Sequence, residues 1–99
     1  MLEVTIFLDS DDLHDGQHTH EYIMRFLMHN QIKGASVFTA KMGYGVKHHL
    51  HNPRKLGNVD EEPLMIVFID DEERVRAVLP HLKDVVKEGL IVTKNVERA

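Results

Sequence analysis

Three histidines fall close together at His48, His49 and His51. Neutral imidazole is a ligand for zinc and copper, so the group offers metal donors that residues from neighbouring copies would complete. The chain has no cysteine to add a thiolate, and a loop lacks the regular backbone that usually fixes a zinc ligand set. Next to Lys47, Arg54 and Lys55, the same histidines also read as a solvated basic loop. Gly43-Tyr44-Gly45 offers a different chemistry: glycines let the backbone approach a phosphate and expose successive N–H groups to it. A sharp turn at a strand end needs the same residues. Asp9, Asp11 and Asp12 supply carboxylates for a cation or for acid/base work, but without calcium-loop spacing they read as a solvated turn. His18 and His20 read as the surface at the start of a helix. Ser10 and Ser36 are the only serines. Neither sits in a nucleophile elbow, and no phosphate-loop lysine or zincin helix occurs, so no enzymatic activity is expected.

The elements that must position these residues follow from hydrophobic period. Val4, Ile6 and Leu8 alternate with Thr5 and Phe7, as a half-buried strand requires. After an acidic stretch ending in the turn pair Asp15-Gly16, Ile23, Phe26 and Leu27 fall at helical spacing. The helix is expected from about Gln17 to Gln31, closed by Lys33 and Gly34. Ala35 to Met42 reads as a second strand, and Leu64 to Ile69, a continuous apolar run, as a third. Between them Tyr44 to Glu62 shows no period, a connection of about 19 residues and well beyond the usual loop.

Asp70 and Glu73 bracket a helix start. Val75, Val78, Leu79, Leu82, Val85 and Val86 then form the buried stripe, and Gly89 is the expected stop. Pro80 lies inside that stretch and is expected to kink or break it. Leu90 begins the last strand. Strand, helix, strand, strand, helix, strand is the split βαβ pattern. It implies an α+β, ferredoxin-like sandwich: one domain over 1–99, with a four-stranded antiparallel sheet and two helices on one face. Phe7, Phe38 and alternate residues of the third strand leave the other face too apolar for water, which points to self-association.

Composition narrows the function. A chain of 99 residues with 42% hydrophobic and 28% charged residues matches an ordinary globular domain. A net charge of −4 argues against a nucleic-acid binder. The absence of cysteine and of a basic-then-apolar leader is compatible with a cytoplasmic address.

Met42-Gly43-Tyr44-Gly45, the loop ending in His51, Leu64 to Ile69 with Asp70-Asp71-Glu72-Glu73, Leu79-Pro80 and Glu88-Gly89-Leu90 together resemble an uncharacterised PII-like family of the PII/CutA superfamily. The resemblance spans nearly the whole chain. It implies a homotrimer with a long flexible loop at about 44–62 that contacts a partner, a membrane transporter or an enzyme. It also implies clefts between subunits that bind a small anion, an adenine nucleotide by analogy. Gly43, Tyr44 and Gly45 would form the loop base, with Lys47, His51 and Arg54 on the anion.

The basic loop that such proteins place before the last strand is replaced here by Lys87-Glu88-Gly89, and Thr39 stands where the family has arginine. A carboxylate beside a polyphosphate is unfavourable, so AMP, cyclic AMP or ADP is expected before ATP. The alternative expectation is a CutA-like trimer holding zinc or copper on His48, His49 and His51.

Overall fold

The computed structural model describes residues 1–44 and 62–99. Its elements are β1 (Leu2–Asp9), β2 (Leu13–His14), β3 (Gln17–His18), α1 (Thr19–His29), β4 (Ala35–Thr39), β5 (Pro63–Asp70), α2 (Glu72–Val85) and β6 (Leu90–Asn95). The main sheet has the order β4-β5-β1-β6 with every pairing antiparallel. This is the expected α+β arrangement of a four-stranded antiparallel sheet and two helices, compatible with a ferredoxin-like fold.

Alternation decides which face is buried. Leu2, Val4, Ile6 and Leu8 of β1 and Leu64, Ile66 and Phe68 of β5 point into the core. There they meet Ile23 and Leu27 of α1 and Val75, Val78, Leu79, Leu82 and Val85 of α2. The opposite face stays uncovered: Phe7 is 44% exposed, Phe38 51% and Leu90 58%, with Ile69 and Val92 also exposed.

Several boundaries differ from expectation, each for a local reason. The first helix starts at Thr19, because Asp15 and Gly16 form a two-residue turn with φ of 50° and 79° that closes a hairpin, Leu13 opposite His18 and His14 opposite Gln17. Positive φ at both central positions gives a turn whose twist suits a hairpin. The helix ends before Gly34. Gln31 takes the left-handed position, φ 65°, and its N–H donates to Met28 O while Ile32 N–H donates to Leu27 O. This is a Schellman arrangement, with Ile32 as its buried apolar contact.

Asp70 is the last residue of β5 and not a helix cap, and α2 starts one residue after Asp71, which makes no side-chain cap bond. α2 runs unbroken through Pro80. The ring is exposed, so the Arg76 carbonyl that loses its donor lies on the solvent side, where water can serve it. The helix stops at Val85, with Val86 extended, well before Gly89. Gly89 serves another purpose. A Cβ there would stand 2.2 Å from the Phe7 carbonyl oxygen, so only glycine lets the chain cross β1 this closely before β6 begins.

Candidate functional site

The antiparallel register brings one set of strand ends together. Asp9 of β1 lies opposite Pro63 of β5, Thr39 of β4 opposite Leu64, and Phe7 opposite Leu90 of β6. The β2–β3 hairpin, the turn after α2 and both flanks of the 45–61 connection therefore gather at one end of the molecule.

Ser10 fastens that end. Its N–H donates to Glu62 O at 2.9 Å, and its Oγ accepts the Glu62 N–H at 2.9 Å. Its carbonyl accepts Nδ1–H of His18 at 3.1 Å, which sets the His18 tautomer. Ala40 N–H donates to Pro63 O at 2.8 Å on the other flank. Asp9, Asp11 and Asp12 lie in the same turn and can bring one carboxylate oxygen each within 4.8 Å of one another, the one such acidic cluster among the described residues. The Asp9 amide donates to Asp12 Oδ2 at 3.3 Å, and Thr19 N–H, opening α1, donates to Asp12 O at 2.8 Å.

A cavity of about 490 Å³ opens beside this turn, with a floor of Leu8, Leu13, Val85 and Val86. Its polar walls are Asp11, Asp12, His14 and Asp15 from the hairpin side and Asp84, Lys87 and Glu88 from the end of α2. Carboxylates outnumber cations there, an electrostatic surrounding that opposes a highly charged anion. Behind it the two helices are joined by an aromatic cluster. Tyr22 Oη and His81 Nε2 share a 2.7 Å hydrogen bond, the His14 ring lies 4.6 Å from Tyr22, and the His81 ring lies 4.5 Å from Phe26.

The residues expected to bind ligand divide in two. Gly43 and Tyr44 follow β4 at the gathered end. Gly43 is half-buried, with the Pro63 ring 3.5 Å from where its Cβ would be, while Tyr44 is exposed. Gly45, Lys47, His51 and Arg54, and the metal candidates His48, His49 and His51, lie outside the described residues.

The sequence reading missed the hairpin, the Ser10 clamp and the acidic cavity. The Asp15-Gly16 pair flanked by Leu13-His14 and Gln17-His18 was the available signal for the hairpin. The clamp pairs Ser10 with Glu62, 52 positions apart, and no local pattern marks it.

Fold and site thus define a small ferredoxin-like α+β protein with the β2–β3 hairpin, the turn after α2 and the flanks of the 45–61 connection gathered at one end of the sheet. The chain belongs to the DUF190 family, described as "Uncharacterized ACR", which it matches over residues 1–98. Similar relatives include a UPF0166 protein of Methanocaldococcus jannaschii, 34% identical over 88 residues, covering 88% of this chain and 81% of the relative. A UPF0166 protein of Aquifex aeolicus is 27% identical over 92 residues, covering 93% and 87%. Among the described residues no helix is long and apolar enough to cross a membrane.

Proposed function

We propose that the chain is a non-catalytic, PII-like regulatory subunit that forms trimers and binds a small anion, an adenine nucleotide, between subunits. The connection between 44 and 62 contacts a partner protein. One observation carries this reading. Gly43-Tyr44 follows edge strand β4, and Lys87-Glu88-Gly89 precedes edge strand β6, at the same end of the sheet but on opposite edges.

Three successive antiparallel pairings make β4 and β6 antiparallel to each other. Copies joined head to tail, β6 of one beside β4 of the next, extend the sheet and bring the two segments face to face across the joint. A cleft of that origin holds glycine backbone on one wall and Lys87 with Glu88 on the other. Glu88 opposes added phosphate charge, so AMP, cyclic AMP and ADP are preferred to ATP.

Calorimetric titration of purified protein with each of the four nucleotides tests this. The expected result is binding of the first three, weaker binding of ATP, and further weakening by added salt and by Arg54→Ala. No heat from any nucleotide at millimolar concentration would remove the nucleotide from the proposal.

A further inference from the structure

We propose that the groove between α1 and the start of β4 binds a single-chain amphipathic anion, an alkyl carboxylate of medium length. This site lies at the opposite end of β4 from Gly43 and Tyr44 and is independent of the reading above.

The groove follows from how α1 ends. The Schellman turn at Gln31 and Ile32 swings the chain away, and β4 begins at Ala35, leaving a cavity of about 340 Å³ with apolar walls of Met24, Leu27, Met28, Ile32 and Ala35. Gly34 stands at its edge, and a Cβ built there would meet nothing within 4 Å, so the space is open on that side. Its volume falls at the low end of ligand pockets, which span roughly 300–1,000 Å³, and suits one chain better than a nucleotide. Methionine walls adapt to a flexible chain.

Charge selects the headgroup. Arg25 and Lys33 also line the groove, and among the described residues no carboxylate does, although the chain as a whole carries a net charge of −4. The Arg25 guanidinium is hydrogen-bonded to the neutral amide of Gln17. The carboxylate held by Lys33's own amide is Asp70, and it is committed to Arg74 at 3.1 Å and to two backbone amides. Two further cavities among the described residues lack this combination: in one the charged wall residues are mainly carboxylates, and another, on the open sheet face, contains Glu3 and Lys94 already ion-paired at 3.3 Å. An apolar tail in the groove with its carboxylate at Lys33, and the positive charge of Arg25 on the α1 wall, satisfies both features.

The test uses protein with methyl-labelled methionines and octanoate as the probe, followed by NMR. Met24 and Met28 line the groove, while Met65 on the open sheet face is an internal control. Saturable shifts at Met24 and Met28 with Met65 unmoved are expected. Affinity should rise about two- to fourfold per added methylene from hexanoate to decanoate. Octylammonium should bind at least tenfold more weakly, and so should octanoate to the Arg25→Gln, Lys33→Gln double variant. Circular dichroism melts verify that the variant folds. Equal binding of octylammonium, unchanged affinity in the folded double variant, or shifts confined to Met65 would overturn the proposal.

Discussion

Asp70 shows how one side chain can hold three segments. Its side chain is 1% exposed, at the end of β5. Oδ2 accepts the Lys33 amide at 3.0 Å, and Oδ1 accepts the Asp71 amide at 2.7 Å and Arg74 Nη1 at 3.1 Å. Burial by itself raises the carboxyl pKa. The two amide hydrogen bonds, with the charges of Arg74 and Lys33, outweigh it and hold the group below the ordinary carboxylate value.

A folded pKa below the unfolded one gives stability that is present above the unfolded value, about 3.9, and is lost as pH falls through the folded value. Asp70→Asn keeps the shape but turns an NH2 toward one of the donors. It should cost about 2 kcal/mol at neutral pH. The gap from the parent protein should close in acid, as followed by urea unfolding at several pH values; a gap independent of pH would refute the linkage. Gly89→Ala makes a different demand, because the added carbon meets the Phe7 backbone carbonyl and not a side-chain tip that can swing away. About 3 kcal/mol is expected, the upper part of the overpacking range, by the same unfolding measurement.

Among the elements, the strands and the buried helix stripes were legible because their period is a direct print of one-sided burial. Val4, Ile6 and Leu8, and Val75, Val78, Leu79, Leu82 and Val85, lie on the core side as their spacing requires. Helix ends were less legible, since two residue types can fill one geometric role. Gln31, not Gly34, takes the left-handed position, and Asp70, which reads as a cap, is a tertiary tie. Of the candidate site, the sequence marks Gly43 and Tyr44 but not the Ser10–Glu62 clamp, because a contact between distant segments leaves no local pattern.

Pro80 is a direct test at this scale. Pro80→Ala restores a donor to the Arg76 carbonyl, and stability should rise by about 1 kcal/mol, well under the ~3 kcal/mol of a buried interior proline, because that carbonyl lies on the solvent side where water can serve it. A loss of stability would show that the ring packs favourably. Gly16→Val should act only locally. A β-branched residue at φ 79° strains the hairpin by about 1–2 kcal/mol, so amide exchange should quicken at Leu13 and His18 while the main sheet keeps its protection.

The whole molecule is a sandwich with one layer missing. Helices cover one face of the sheet, while the other shows Phe7, Phe38, Ile69, Leu90 and Val92 to solvent, and among the described residues β4 and β6 are the edge strands. Exposed apolar patches and free strand edges both favour association, and a heterologous β6-to-β4 joint closes into a ring when the rotation permits. Three copies with their apolar faces turned inward would cover both liabilities together. Light scattering at micromolar concentration should therefore give the trimer mass.

Val92→Asp puts a charge on the exposed apolar face, at edge strand β6 and away from the helix-side core, so it should give monomers that keep their helical circular dichroism. The proposed nucleotide cleft, built across the joint, should be lost with the trimer. The alkyl carboxylate groove, built within one chain, should persist in that monomer. A monomeric parent protein at micromolar concentration would sink the trimer and the shared cleft together. A Val92→Asp variant that remains trimeric would show that the copies meet elsewhere.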